Sequence, residues 1–309
     1  MKILFVSSGN SDMGISPIIK NQGDSLVANG IELKYYLIQG KGFFGYLKNI
    51  SKLRKLLRHG CFDIIHAHYS LSAIVASLSL YKPIITSLMG SDVKENNRYK
   101  IIIKLFNMFF WERLIVKSKD MARNIGIKQV SILPNGVNLY RFKPLQQQKS
   151  QEQLNWSIQK KHILFVANPD RYEKNYKLAH KAYNKLQGDI ELHNLSNIAN
   201  DIMPLYYSAA DVVLLTSLWE GSPNVIKEAM ACNSPIVSTD VGDVKKITGE
   251  TKGCYICSYD PNDVALKIES ALKFNARTLG RERIKNLNLD SDSVAQKLKK
   301  IYSDIINES

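Results

Sequence analysis

The chain has 309 residues, more than one compact core usually holds, and its 42 Lys and Arg against 28 Asp and Glu give a net charge of +14, so two α/β domains and an anionic partner are expected. Hydrophobic residues at 45% and charged residues at 23% exclude a disordered or fibrous chain, and four cysteines are too few for a disulfide scaffold, which points to a reducing, cytoplasmic compartment. The apolar run at 2–6 is too short for a secretory core, and 101–111 is interrupted by Lys104 and Asn107, so neither an export signal nor a membrane span is expected.

Short β-branched runs at 2–8, 32–38, 63–67, 83–87, 114–117 and 130–133 alternate with helical patterns, which predicts a parallel sheet. The first run leads into Gly9-Asn-Ser-Asp-Met-Gly14-Ile15-Ser16-Pro17. Gly14 there either lets backbone approach a ligand closely or is only a turn glycine. After the second run, Gly40-Lys-Gly42-Phe-Phe-Gly45 matches GxGxxG. It follows the wrong strand, however, and the next acid, Asp63, precedes its strand, so the dinucleotide fingerprint is incomplete and an NAD-type oxidoreductase is the weaker alternative. Segment 43–58 then sets Phe43, Leu47, Ile50, Leu53 and Leu57 on one helical stripe with Lys48, Lys52, Lys55 and Arg58 beside it. That pattern fits a sheet-covering helix or a helix lying on an anionic bilayer. His66 and His68 close the third run and Met89-Gly90-Ser91-Asp92 follows the fourth, where polar groups of a parallel sheet face a ligand crevice.

The Gln-rich stretch 143–161 lacks an apolar period and reads as a linker between domains at 1–145 and 160–290. Further strands are predicted at 162–167, 189–193, 211–216, 235–239 and 254–258, and a helix at 291–306, with Val294, Leu298, Ile301 and Ile305 at helical spacing, packs on a domain surface. The strand at 162–167 runs into Asn168-Pro-Asp-Arg171-Tyr-Glu-Lys174-Asn. Cations just before a helix oppose its dipole, so Arg171 and Lys174 suit a diphosphate lying between them, or else are solvated loop charges. The richest segment is Thr216-Ser-Leu-Trp-Glu220-Gly221-Ser222-Pro223-Asn224-Val225-Ile-Lys-Glu228. Ser222 is expected as N-cap and Pro223 as the first helical residue, with amides free to hold phosphate. Glu220 then lies in the loop and Glu228 about 9 Å further along the helix, two carboxylates for two parts of one ligand or two surface charges. Cys254 and Cys257 form a lone CxxC on a short strand, which predicts packing rather than a metal site.

Four ordered motifs resemble retaining GT-B glycosyltransferases of family 4. Glu220 and Glu228 match its E-x7-E signature, Pro134-Asn-Gly136-Val137-Asn138 with Phe142 and Pro144 its "P-N-G-V-D…F.P" segment, Tyr207-Ser-Ala-Ala-Asp211 its "Y..AD", and Pro235-Ile-Val-Ser-Thr-Asp-Val-Gly242 its "P-V-V-A-T-D-V-G-G". The resemblance implies two Rossmann-like domains facing a central cleft, acceptor bound by the first and nucleotide sugar by the second. It implies that Glu220 contacts the donor sugar, Glu228 the ribose, and Arg171 and Lys174 the pyrophosphate, with Lys174 the safer match because the spacing is short. Gly14, Gly221, Ser222, Pro223, Asn224 and Val225 would complete the donor site, and His68 and Asp92 would meet the acceptor, although Met89 stands where a histidine is often found and His68 is alternatively a satisfied structural histidine. Ser222 and Lys246 also depart from the family pattern, so donor preference cannot be carried over. The expected activity is retaining transfer from a UDP- or GDP-linked sugar to a glycan or lipid-linked acceptor in polysaccharide or glycolipid synthesis, with no cofactor, no metal and no nucleic acid. A catalytically inactive nucleotide-sugar-binding subunit is the further alternative.

Overall fold

The computed structural model describes residues 1–10, 14–90, 97–196 and 198–308. They form two compact units, Met1–Gly136 with Ser291–Ser309, and Val137–Asp290. The first unit holds strands β1 (Lys2–Ser8), β2 (Glu32–Ile38), β3 (Ile64–His68), β4 (Ile84–Ser87), β5 (Arg113–Val116) and β6 (Ser131–Ile132). They pair in the order β2-β1-β3-β4-β5-β6, all parallel. The second unit holds β7 (Lys161–Phe165), β8 (Ile190–Asn194), β9 (Val212–Leu215), β10 (Ile236–Thr239) and β11 (Cys254–Cys257), also parallel, in the order β11-β10-β9-β7-β8. Every expected strand is present, with ends displaced by a residue or two.

Both faces of each sheet are covered, so central strands carry consecutive buried apolar residues rather than alternating ones, as at Ile3–Val6 and Val212–Leu215. In β1, Leu4 and Val6 pack on one face with Leu53 and Leu57, while Ile3 and Phe5 pack on the other with Val294, Leu298, Tyr302 and Ile305 of the helix Ser291–Glu308. β7 divides likewise, Leu164 to one core and Ile163 with Phe165 to another.

The stripe predicted over 43–58 is split into two helices, Gly42–Leu47 and Asn49–Gly60. Asn49 explains the break: its buried side-chain amide donates to the carbonyls of Gln39 and Gly45 at 2.8 Å each, tying the junction to the end of β2. Leu53 and Leu57 are buried and Ile50 is half-buried, while Lys48, Lys52, Lys55 and Arg58 are exposed, so the apolar stripe covers its own sheet. The first and last GxGxxG glycines serve close backbone packing, since a Cβ on Gly45 would stand 2.7 Å from the carbonyl carbon of Gly40. The stretch expected as a linker carries a helix, Gln147–Gln153, whose Gln147 and Gln151 side chains both donate to the carbonyl of Ala209 in the second unit. The division between units falls earlier, at Gly136.

Candidate active site

In the second sheet the chain leaves β7 toward β8 on one side and returns to β9 on the other, so the switch point lies between the carboxyl ends of β7 and β9. Ligands of open parallel sheets bind at such points. The loop after β7 closes with a single 3-10 turn, Tyr172–Lys174, and Asn175 in the left-handed region (φ 50°). It is fastened to the loop after β9: Thr216 Oγ1 donates to the carbonyls of Lys174 and Asn175 at 3.1 and 3.0 Å, and the Leu218 amide donates to the Glu173 carbonyl at 2.8 Å. These bonds bring Lys174 Nζ to 2.5 Å from Glu220 Oε1, which also accepts from Ser217 Oγ at 2.8 Å. The two side chains are only 12% and 16% exposed. Arg171 is directed elsewhere, since its guanidinium pairs with Glu173 and is 58% exposed.

The helix after this loop begins one residue later than expected. Pro223 (φ −68°, ψ 119°) is its N-cap and the helix runs Asn224–Ala231. Ser222 does not cap it, because its hydroxyl donates to Asp243 Oδ2 at 2.8 Å and accepts from Lys227 Nζ at 3.1 Å. Lys227, which the sequence reading passed over, is completely buried, and that burial lowers its pKa to about 8 against the pull of Asp243 and Glu228. Burial likewise raises the pKa of Asp243. Glu228 is half-buried on the helix, where its Oε2 accepts from the hydroxyl of Tyr207 at 2.7 Å and burial raises its pKa. Tyr207, quoted above only as part of a motif, therefore fixes the second carboxylate of the pair.

Gly221 and Gly242 are in contact. Gly242 has φ +61°, and a Cβ there would stand 2.6 Å from the Gly221 carbonyl oxygen and 3.1 Å from that of Glu220. Thr239 Oγ1 holds the Ser217 carbonyl at 2.7 Å from the neighbouring strand end. The segment at 134–144 is structural: Val137 and Phe142 enter the core of the second unit, and Arg281 donates to the carbonyls of Phe142, Leu139 and Ala231 at 2.6, 2.8 and 3.2 Å.

In the first sheet the switch point lies between β1 and β3. Gly14 has φ +68° with open space where a side chain would stand. His68, at the end of β3, is fully buried, stacked on His66 with ring centroids 4.4 Å apart and edge-on to Phe5 at 4.6 Å. Neither of its ring nitrogens has a hydrogen-bond partner among the described residues, and burial, then Lys117, lowers its pKa to about 3. His66 is satisfied by Tyr302 Oη at 2.6 Å and Ser87 Oγ at 2.8 Å. Lys117, buried beyond the end of β5, is another residue that the sequence reading missed. Asp92 lies outside the described residues. All four cysteines are free thiols, and burial raises Cys254 and Cys257 to about 12.

A family model for "Glycosyl transferases group 1" matches residues 152–273, and one for "Glycosyl transferase 4-like" matches residues 10–118. The chain belongs to this glycosyltransferase family. Among its relatives within the family, the Bacillus subtilis (strain 168) protein TuaC, named for teichuronic acid biosynthesis, is 29% identical over 217 residues, 61% of this chain and 56% of that one. The Escherichia coli UDP-Gal:alpha-D-GlcNAc-diphosphoundecaprenol alpha-1,3-galactosyltransferase is 26% identical over 242 residues, 63% of this chain and 62% of its own. The chain thus spans less than two thirds of the length of these relatives. Sucrose-phosphate synthase from Thermosynechococcus elongatus superposes on the glycosyltransferase-family chain with a TM-score of 0.84 at 17% identity, covering 100% of both. Anabaena HepE in complex with UDP and glucose follows at 0.79 and 14%, covering 98% of this chain and 100% of its own. At such identities the likeness is one of fold, the GT-B arrangement of two parallel α/β sheets.

Proposed function

We propose that this chain transfers a sugar, with retention of configuration, from a nucleotide-diphosphate sugar to a glycan or lipid-linked acceptor. The observation that carries the reading is the shielded Lys174–Glu220 pair at the switch point of the second sheet, followed by a helix bearing Glu228. A diphosphate arriving there takes the place of the carboxylate on Lys174, and the ammonium neutralises the charge that develops as the nucleotide departs. Arg171, exposed on the same loop, turns from Glu173 to the outer phosphate oxygens, and the amides of Asn224 and Val225 at the helix start hold the inner ones. Glu220, released from Lys174, accepts a sugar hydroxyl, and Glu228, held by Tyr207, accepts from the ribose. Gly221, Ser222 and Pro223 shape the loop around the donor. His68 and Asp92 meet the acceptor, and neither ring nitrogen of His68 has a hydrogen-bond partner among the described residues. No step passes through a metal.

The donor is read as UDP- or GDP-linked, which the UDP named in the HepE complex supports. A lipid-linked acceptor is supported by the diphosphoundecaprenol named for the E. coli relative. Among the described residues no helix is long and apolar enough to cross a membrane. A peripheral site fits the first unit, on a face other than the stripe at 43–58. On the helix Asn97–Phe109, Ile101, Met108 and Phe109 are 61%, 65% and 62% exposed, with Ile102 and Leu105 beside them and exposed Lys104 among them. An exposed apolar helix face that carries a lysine suits a helix resting on an anionic bilayer at the cytoplasmic side.

The deciding experiment incubates the protein with a panel of UDP- and GDP-sugars and with NAD, following melting temperature and donor hydrolysis. A shift and slow hydrolysis with one nucleotide sugar are expected. A response to NAD alone would identify an oxidoreductase, and binding of a nucleotide sugar with no turnover on any acceptor extract would identify an inactive binding subunit.

A further inference from the structure

The β7–β8 pair carries a polar cluster that the donor site does not use. His162, the second residue of β7, is the ladder partner of Glu191 on β8, and His193 lies two residues further along β8, so the three side chains leave one face of the sheet. His162 Nδ1 and His193 Nε2 are 2.9 Å apart, and Glu191 Oε2 stands 3.8 Å from the first and 3.7 Å from the second. A point equidistant from these three atoms lies about 2.0 Å from each, within the ~2.0–2.2 Å of zinc bonds to imidazole nitrogen and carboxylate oxygen.

The outer side of each group is already engaged. His162 Nε2 stands 2.9 Å from the carbonyl of Ser157, which can only accept, so the neutral ring carries its proton there and keeps its lone pair on Nδ1. Lys160 Nζ holds the other Glu191 oxygen at 2.6 Å, which turns Oε2 toward the imidazoles. The His193 ring lies flat on Trp156, with centroids 3.8 Å apart and planes 9° from parallel. Outer contacts of this kind orient metal ligands and fix their tautomers.

We propose that His162, Glu191 and His193 bind a divalent transition metal of the zinc class. Two imidazoles and one carboxylate suit such an ion better than calcium or magnesium, which prefer all-oxygen shells. Glu191 and His193 are partly exposed, so water completes the coordination. On binding, the ion replaces the proton shared by the two rings, and His193 changes tautomer, giving up the proton on Nε2 and carrying one on Nδ1, so both rings bind as neutral imidazoles. The cluster runs from His162, near the amino end of β7 and about 10 Å along it from the end that leads to Lys174, to His193, the fourth residue of β8, on the sheet edge away from β9. The metal therefore joins the edge strand β8 to the body of the sheet and takes no part in sugar transfer.

The test uses the whole protein after chelator treatment and dialysis. Zn²⁺ is expected to raise its melting temperature where equal Mg²⁺ does not, and Co²⁺ is expected to give a visible d–d absorption that Zn²⁺ abolishes. His193→Ala and Glu191→Gln should each weaken Zn²⁺ binding at least about tenfold, with donor hydrolysis in metal-free buffer unchanged. Glu191 is at the surface, so its variant keeps the test usable if His193→Ala folds poorly. Absence of both metal responses in the unaltered protein overturns the proposal and leaves a hydrogen-bonded histidine pair. So does a response that persists undiminished in Glu191→Gln. Neither readout requires a nucleotide sugar, so failure here is distinct from failure of the transferase reading.

Discussion

Lys174→Met removes the cation from Glu220 while keeping the length of the side chain. Breaking a fully buried ion pair costs about 3–5 kcal/mol, because a desolvated charge is left behind, whereas an exposed pair contributes about 0.2–1 kcal/mol. With side chains 12% and 16% exposed, and with Ser217 still donating to the carboxylate, this pair falls between, at roughly 2 kcal/mol of unfolding free energy. If Lys174 also neutralises the departing diphosphate, turnover falls at least tenfold, about 1.4 kcal/mol of transition-state stabilisation. Urea unfolding reads the first quantity and initial rates with the responsive donor read the second. The double variant Lys174→Met/Glu220→Gln separates them. Neutralising both partners should recover part of the stability, a coupling of about 1–2 kcal/mol, and leave turnover low. Turnover that recovers together with stability would refute the chemical role and make Lys174 a structural partner of Glu220.

Glu228→Gln should weaken nucleotide-sugar binding by calorimetry, while Glu220→Gln lowers turnover more than nucleotide affinity; unchanged constants in both would remove these carboxylates from the site. Lys227 titrates near 8 in the native protein and at 10.5 as a free side chain, so between those values the unfolded chain binds a proton that the native one does not, and stability rises with pH by roughly 3 kcal/mol in total. Unfolding of wild type and Lys227→Met at pH 7, 8, 9 and 10 should show their difference moving toward wild type over that window, and a constant difference would mean that Lys227 titrates normally. Gly242→Ala should lose stability by about 1–3 kcal/mol and slow turnover, because the methyl group meets the Gly221 carbonyl at a φ that side chains disfavour; a neutral variant would show that the loop gives way freely. Ile101→Glu with Met108→Glu should abolish sedimentation with anionic vesicles, and high salt should weaken it in the unaltered protein; equal recovery on neutral lipid would argue against an electrostatic contribution.

The strands were legible because a sheet covered on both faces favours consecutive apolar residues, and Ile3–Val6 of β1, Ile163–Phe165 of β7 and Val212–Leu215 of β9 meet that demand. Lys174 and Glu220 were legible individually, as loop residues beyond strand ends, and their pairing rests on hydrogen bonds between loops that periodicity cannot report. A one-residue error in helix phase hid the role of Ser222, which belongs to a buried network with Lys227 and Asp243 rather than to the cap. The stripe at 43–58 had the right period, yet period alone says nothing of Asn49, whose amide interrupts it. His162 and His193 lie 31 residues apart and meet only through the register of β7 with β8.

The first unit is assembled from two distant stretches of chain. Its helix Ser291–Glu308 covers the sheet face made by Ile3 and Phe5, and Tyr302 supplies the hydroxyl that satisfies buried His66. During synthesis, residues 1–136 therefore emerge with one sheet face only partly covered, by Ile19 and Leu26 of the helix Pro17–Ala28, and at ribosomal speeds they wait on the order of ten seconds or more until residues 137–290 have been added. The second unit is contiguous and can reach its native neighbours first. The part of the protein that begins earliest is the last to finish, and the interval in between is when it most needs shielding from other nascent chains.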